Sequence, residues 1–285
     1  MSGLASDVVT GLPERIRAAL FDLDGVLTPT ALIHAAAWAQ MFDDFLRERD
    51  GPGYRPFDRV GDYAEYVDGR ARADGTRGFL ASRGITLPEG SSGDPPEADT
   101  VEGLSERKDE IFRGRLAEHG VQPYPGSVRY LHAVRAAGLR TAVVSASRHC
   151  AEVVAAAGLT DLFDARVDGL DAARDRLHGK PAPDTFLAAA RRLNTIPAQA
   201  AVFEDAIAGV AAGRAGRFGR VVGVDRSEEA GALPGHSRHA EDLRTHGADV
   251  VVRDLAELLD ADLLDAGVPD AETLDAQTLE EGGGS

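Results

Sequence analysis

One short stretch near the N-terminus, Phe21-Asp22-Leu23-Asp24-Gly25, limits what this chain can fold into. It follows the apolar run Ala18-Ala19-Leu20, which is typical of a β-strand buried on both faces. Because side chains alternate along a strand, we expect Asp22 and Asp24 to share one side of the chain. Two adjacent carboxylates raise each other's pKa unless a cation lies between them. The pair therefore predicts a metal site, an acid/base pair or both, and the alternative is an Asp-rich turn after a strand.

Composition and charge exclude several classes of protein. The 285 residues suffice for one large domain or two unequal ones. The formal net charge of -16 argues against nucleic acid as a partner, because phosphate backbones are bound by clustered Lys and Arg. Cys150 is the single cysteine, so neither an intramolecular disulfide nor a zinc–thiolate cluster is expected. We find no secretion signal and no uncharged apolar segment of about 18 residues, and we therefore expect a cytoplasmic protein without a membrane span.

Strands and helices alternate in the second part of the chain. Apolar runs at 140–144, 200–203, 221–224 and 250–252 predict strands, each associated with a helical pattern. Repeated β-then-α units form an open, doubly wound parallel sheet, in which ligands bind beyond the carboxyl ends of the strands. Ser145, Glu204 and Asp205 follow two of these strands directly. We therefore expect them at the same sheet edge as Asp22 and Asp24.

The segment 34–119 lacks convincing strands. Helical spacing of apolar residues predicts helices over 30–49 and 104–119. The polar residues 68–75 predict a loop, and 90–99 is a loop by composition. The simplest account is a helical cap of about 34–119 inserted into an α/β core made of 1–33 and 120–285. The acidic stretch from about 263 is predicted to be a poorly ordered tail.

Four polar clusters follow one another along this core: Asp22-Leu23-Asp24-Gly25, Ser145, Lys180 and Glu204-Asp205. In this order they resemble the phosphotransferase motifs of the haloacid dehalogenase superfamily. The helical insertion after the first cluster resembles the cap of its β-phosphoglucomutase-like group. The resemblance covers the chain from about 17 to 259 and is strongest at the core motifs. It implies a Rossmann-like α/β core, an α-helical cap and a site between the two.

The resemblance also implies Mg²⁺-dependent phosphoryl transfer through an aspartyl phosphate. Asp22 would be the nucleophile, and Asp24 would be the general acid and base. Mg²⁺ would be held by Asp22, the backbone carbonyl of Asp24, Glu204 and Asp205, all of which offer hard oxygen donors.

Five further residues are expected to bind phosphate. Ser145 and the backbone N–H of the neighbouring Ala146 would hydrogen-bond the transferred phosphoryl group. Lys180 would neutralise the charge of that group and of the nucleophile. Arg72 and Lys108 lie where the resemblance implies cationic cap residues, so they would hold the phosphate that is not transferred.

The reaction implied by the resemblance is the interconversion of β-glucose 1-phosphate and glucose 6-phosphate. Thr30 and His34 would be hinge residues that govern Asp24. Pro29 stands where the group often has an acidic residue, and the 90–99 loop is an addition to the cap, so substrate specificity stays open. The alternatives are a phosphatase acting on a small phosphorylated sugar and a non-catalytic binding protein with the same fold. We expect a small phosphorylated sugar as the substrate and a monomer or weak dimer.

Overall fold

The computed structural model describes residues 10–227 and 237–259, and the predicted acidic tail from about 263 lies outside them. In the described ranges, six parallel strands form one sheet in the order β3-β2-β1-β4-β5-β6. The strands are β1 Ala18–Phe21, β2 Arg140–Val144, β3 Ala165–Val167, β4 Ala200–Glu204, β5 Arg220–Val224 and β6 Val250–Val252. The order reverses at β1, which lies between β2 and β4. This is the switch point at which doubly wound sheets bind ligands.

The two strands at the switch point are buried along their whole length. Every residue of β1 and β4 is buried, as the apolar runs predicted. Phe21 pairs in register with Phe203, and the two rings stack with centroids 4.5 Å apart. Tyr130 packs edge-on against Phe21 at 6.3 Å. The backbone at the carboxyl ends of these strands is therefore held by a close-packed core.

Helices cover both faces of this sheet. They are α4 Pro125–Ala136, α5 Cys150–Ala156, α6 Gly169–Asp175, α7 Asp184–Arg192, α8 Ile207–Ala215 and α9 Arg238–Thr245. The strands predicted at 140–144 and 250–252 are observed with the same bounds. The sequence pattern missed β3, α6 and α9. β3 has three residues with the exposed Arg166 in the middle, so it lacks the apolar run that marks the inner strands.

The inserted segment is helical, as predicted. It contains α1 Thr30–Asp50, a π-helical turn Tyr63–Val67, α2 Arg72–Ser82 and α3 Val101–His119. These elements enclose a separate apolar cluster in which the rings of Phe42 and Phe79 lie 4.0 Å apart. The polar loop expected at 68–75 is shorter than predicted, because α2 begins at Arg72. The domain bounds at 33/34 and 119/120 stay a prediction.

The cap contacts the core closely at two glycines. A Cβ on Gly69, whose φ is +67°, would lie 2.9 Å from the Cβ of Ala206. A Cβ on Gly179 would lie 3.3 Å from the Cβ of Ala71. The loop between the π-helical turn and α2 therefore touches the core beside Asp205 and beside Lys180. Within 10–227 and 237–259, no helix is long and apolar enough to cross a membrane.

Candidate active site

The first motif turns sharply as it leaves β1. The backbone N–H of Asp22 still donates to Phe203, and the N–H of Asp24 donates to Oδ2 of Asp22 at 2.9 Å. Gly25 has φ +91°, and a Cβ there would lie 1.7 Å from Oδ2 of Asp205. Only glycine permits both this conformation and this approach. The turn therefore brings the first motif against the last one.

Lys180 joins the same two strands. Its Nζ lies 2.5 Å from Oδ1 of Asp22 and also forms an ion pair with Glu204. Burial raises the pKa of Asp22, against the opposing effect of Lys180. Burial acts to lower the pKa of Lys180, but the charges of Asp22 and Glu204 raise it overall. Lys180 is therefore a permanent cation between two buried carboxylates.

The predicted metal ligands meet at this point. Oxygen atoms of Asp22, Glu204 and Asp205 lie within 4.8 Å of one another. Burial raises the pKa of Asp205, and the charge of Asp68 raises it further. Three carboxylates at this distance form the hard-oxygen set that suits Mg²⁺, which also retains water and phosphate ligands. The residues present therefore fit the predicted metal.

Asp24 faces a different set of groups. Thr30 Oγ1 donates to its Oδ1 at 2.5 Å, and Ser145 Oγ donates to its Oδ2 at 3.2 Å. Nε2 of His34 lies 3.5 Å from Oδ1, which is too far for a good hydrogen bond. Burial acts to raise the pKa of Asp24, but the charge of His34 and the two hydroxyl hydrogen bonds lower it to about 2. Ser145, predicted to bind phosphate, is thus bonded here to the predicted acid/base.

His34 connects Asp24 to the cap. Thr30 and His34 are four residues apart on α1, so they share the face that meets Asp24. On its other side, Nδ1 of His34 lies 2.6 Å from Nζ of Lys108. Burial and Arg72 lower the pKa of Lys108 to about 7, and burial and Lys108 lower the pKa of His34. Two adjacent cations are unfavourable, so a charge on Lys108 opposes protonation of His34.

Arg72, the predicted ligand of the distal phosphate, is already paired. Its Nη1 lies 2.5 Å from Oδ1 of Asp109 and donates to the carbonyl of Ser105 at 3.0 Å. Its Nη2 lies 3.4 Å from Oε1 of Glu106. All three partners are on α3. A phosphate on Arg72 must therefore compete with two carboxylates.

The same carboxylates bridge the cap to the core. Nε2 of His149 lies 2.9 Å from Oδ1 of Asp109, and Arg148 lies 3.4 Å from Glu106. The hydrogen bond that His149 donates to Asp109 raises the pKa of His149. None of Glu106, Asp109, Arg148 and His149 was among the site residues predicted from the sequence. The signal for two of them was the position of Arg148 and His149 immediately after the phosphate-binding stretch that begins at Ser145.

The catalytic motifs open into a cavity of 570 Å³ between the core and the cap. This volume lies in the range of about 300–1,000 Å³ that is usual for small-molecule sites. The predicted site residues on its wall are Asp22, Asp24, His34, Arg72, Lys108, Ser145, Ala146, Lys180 and Asp205. Thr30 and Glu204 are not on the wall, and each contacts a residue that is. The cavity wall also includes Tyr63 and Asp68, neither of which was among the predicted site residues.

Comparisons with known proteins identify the class. The family model of haloacid dehalogenase-like hydrolases matches residues 16–217. The chain belongs to the haloacid dehalogenase-like hydrolases. The family, the named relatives below and the residues of the site all indicate that the chain is a phosphoryl-transfer enzyme.

Named relatives narrow the resemblance further. A β-phosphoglucomutase from Mycobacterium tuberculosis is 53% identical over 254 residues, which cover 88% of this chain and 94% of the relative. A β-phosphoglucomutase from Bacillus subtilis is 30% identical, covering 85% of this chain and 92% of the relative. The crystal structure of a β-phosphoglucomutase from Clostridium difficile is similar in fold, with a TM-score of 0.64 at 24% identity. It matches 87% of this chain and 99% of its own.

Proposed function

We propose that the protein interconverts β-glucose 1-phosphate and glucose 6-phosphate through a phosphoryl group carried on Asp22. The observation that carries this proposal is the cavity itself, whose wall contains both the Asp22/Asp24 pair and the separate cations Arg72 and Arg148. A mutase has to bind a phosphoryl group in transfer and a second phosphate at the same time. The 53% identity to a β-phosphoglucomutase supports the same reaction.

The reaction begins with the phosphoryl group on Asp22. Asp24 takes the proton from the 6-hydroxyl of β-glucose 1-phosphate, and the freed oxygen attacks phosphorus. The bond to Asp22 breaks, which gives glucose 1,6-bisphosphate and a protonated Asp24. The pKa of about 2 favours Asp24 as the carboxylate, so it is ready to act as the base in this step.

The second half returns the phosphoryl group to the protein. After the bisphosphate turns around in the cavity, Asp22 attacks the phosphorus at C1. Asp24 then gives its proton to the leaving O1, and glucose 6-phosphate is released. Thr30 and Ser145 hydrogen-bond Asp24 and fix the direction in which it moves this proton.

Lys180 and the metal ligands stabilise charge during transfer. Lys180 contacts Asp22, so it offsets the negative charge of the nucleophile and of the phosphoryl oxygens. Mg²⁺ would be held by Asp22, Glu204, Asp205 and the carbonyl of Asp24, and when bound it supplies positive charge to the transferred group.

The cap lies over the same cavity as Asp22. The Asp109–His149 and Glu106–Arg148 pairs join the cap to the residues just before α5. Exclusion of water favours transfer to a sugar over hydrolysis. The cytoplasmic location and the monomeric or weakly dimeric state stay predictions.

Phosphorus NMR of β-glucose 1-phosphate with Mg²⁺ and a trace of glucose 1,6-bisphosphate tests the proposal. We expect glucose 6-phosphate with little inorganic phosphate. Stoichiometric inorganic phosphate without the isomer would contradict the mutase and indicate a sugar phosphatase. No turnover of β-glucose 1-phosphate or other phosphorylated sugars would indicate a binding protein. The Asp22→Asn variant is the control, since it retains the cavity but lacks the proposed nucleophile.

A further inference from the structure

Arg226 is an arginine of the core that the proposed reaction does not use. It lies two residues after β5, and its side chain is 18% exposed, so its N–H groups need partners within the protein. A guanidinium group has five N–H donors, and each of those of Arg226 has an acceptor. The acceptors lie on three separate segments and are the carbonyls of Gly25, Val26 and Arg253, the hydroxyl of Ser127 and the carboxylate of Asp254.

The first segment is the turn that follows Asp24. Nε of Arg226 donates to the carbonyl of Gly25 at 2.8 Å, and Nη2 donates to the carbonyl of Val26 at 3.0 Å. Asp24 comes directly before this turn, and Thr30, which donates a hydrogen bond to Asp24, begins the helix after it. The acid/base and its hydroxyl partner therefore stand on either side of the backbone that Arg226 holds.

The second segment carries the chain from the cap back to the core. The ring of Tyr124 lies against the guanidinium group, with its centroid 3.6 Å from Cζ, and the N–H of Tyr124 donates to the carbonyl of Leu27 at 2.9 Å. Ser127 Oγ accepts from Nη2 at 2.8 Å and donates to the carbonyl of Val26 at 2.7 Å. One guanidinium group therefore joins the chain before the cap to the chain after it.

The third segment follows β6, the strand next to β5 in the sheet. Nη1 of Arg226 donates to the carbonyl of Arg253 and to Oδ2 of Asp254, both at 3.1 Å. The start of α4 packs on the same carboxylate, since a Cβ on Gly126 would lie 1.7 Å from its Oδ1. Arg226 therefore fastens both connections of the cap to the end of the sheet.

We propose that Arg226 is a positioning residue for Asp24. By fixing the turn at Gly25 and Val26, it keeps the carboxyl of Asp24 where it can exchange a proton with the sugar oxygen. A planar guanidinium group suits this role because its donors form a rigid fork, whereas a lysine ammonium is a point charge on a flexible stem. The inference rests on the proposed function for the roles of Asp22 and Asp24.

Two donors of the phosphoryl group distinguish the position of Asp24 from general damage to the site. In transfer from glucose 1,6-bisphosphate, the bond from phosphorus to Asp22 forms, the bond to the sugar oxygen breaks, and Asp24 gives that oxygen a proton. In transfer from acetyl phosphate, the same bond forms and acetate leaves as a stable anion that needs no proton. A misplaced Asp24 therefore slows the first transfer selectively, whereas a damaged nucleophile or metal site slows both.

Phosphorylation of Asp22 by each donor is measured with Mg²⁺ in rapid-quench single turnovers, by the mass of the intact protein. We expect Arg226→Met to lower the ratio of the bisphosphate rate to the acetyl phosphate rate about tenfold or more, because small misplacements of a reacting group cost up to about a hundredfold. Arg226→Lys keeps the charge but not the fork, so it should lower the ratio as well. Arg135→Met is the matched control and should leave the ratio unchanged, since Arg135 also bonds a hydroxyl, a carbonyl and a carboxylate but contacts neither connection of the cap.

Ser127→Ala is a milder test, because it removes one acceptor and leaves Arg226 in place. It should lower the ratio by a smaller factor, and it decides the question if circular dichroism shows that Arg226→Met is unfolded. An unchanged ratio in the folded variants would overturn the inference. A wild-type ratio in Arg226→Lys would also overturn it, because charge alone would then account for the effect. Failure of both donors to phosphorylate the wild type would contradict the proposed function itself, and the inference with it.

Discussion

The core side of the cavity holds its charged groups at strand ends and in the loop before α7, whereas the cap side holds Arg72 and Glu106 on helices. Asp22, Lys180 and Glu204 are each at most 6% exposed, and they bond one another directly. Arg72 and Glu106 are partly exposed and pair with each other across 3.4 Å. A buried set cannot rearrange cheaply, while a partly exposed pair can exchange partners. We therefore infer that the buried groups of the core carry out the chemistry. The partly exposed groups of the cap, which can exchange partners, bind the substrate.

The largest effect should come from the core nucleophile. Asp22→Asn should reduce phosphoryl transfer about 10⁴-fold or more, because an amide cannot carry the phosphoryl group. Glu204 still pairs with Lys180, so the variant should remain folded. Steady-state turnover and the circular dichroism melting curve measure the two outcomes. Turnover within about tenfold of the wild type would remove Asp22 as the nucleophile.

The core ion pairs should also dominate stability. Lys180→Met leaves Asp22 and Glu204 buried without their cation, which should cost about 3–5 kcal/mol in the free energy of unfolding. Arg77→Met is the matched control, because Arg77 pairs with Asp74 and Glu89 at the surface of the cap. Urea unfolding of both variants, without added Mg²⁺, gives the comparison. Equal losses would mean that the core and cap pairs do not differ as described.

The stability contributed by the His149–Asp109 pair, which bridges the core and the cap, should depend on pH. The hydrogen bond that His149 donates to Asp109 raises the pKa of His149 above its unfolded value of about 6.5. A raised folded pKa stabilises the protein fully below the unfolded pKa, and that contribution is lost as pH rises through the folded pKa. The difference in unfolding free energy between wild type and His149→Gln should therefore shrink from about pH 5.5 to 8.5. Asp109→Asn should reduce this pH dependence, with Glu152 supplying what remains, and an unchanged dependence in that variant would exclude the bridge as its source.

The smallest effect should come from the cap wall alone. Glu106→Gln removes one of the two carboxylates on Arg72, so a phosphate meets less competition there. KM for β-glucose 1-phosphate should fall about two- to fivefold, with kcat little changed. Glu110→Gln, an exposed position on the same helix, provides the control. A rise in KM would show that Glu106 positions Arg72 for phosphate rather than competing with it.

The same division explains what could be predicted from the sequence. Asp22, Ser145 and Glu204 each end an apolar run, so their meeting at one sheet edge followed from local pattern and parallel topology. The partners of Arg72 did not follow. Asp109 lies 37 residues beyond Arg72 in the sequence, and its position in space depends on how α3 packs against α2. Polar residues on an amphipathic helix give no local sign of which ones face a cavity.

Asp68 and the short edge elements were missed for related reasons. The pattern indicated a polar loop at 68–75 but not the π-helical turn before it, whose geometry directs the loop toward Ala206. β3 pairs on one side only and carries Arg166 at its centre, so burial does not impose an apolar run on it. Where tertiary contacts rather than local periodicity position a side chain, a single sequence contains too little information.

Location of the phosphoryl group on the protein tests the central claim most directly. The enzyme is mixed with glucose 1,6-bisphosphate and Mg²⁺, quenched in acid within the first turnovers, digested and sequenced by tandem mass spectrometry. The account predicts one phosphoryl group, carried on Asp22 and absent from Asp22→Asn. A phosphoryl group on another side chain, or turnover to glucose 6-phosphate without any phosphorylated form, would contradict it.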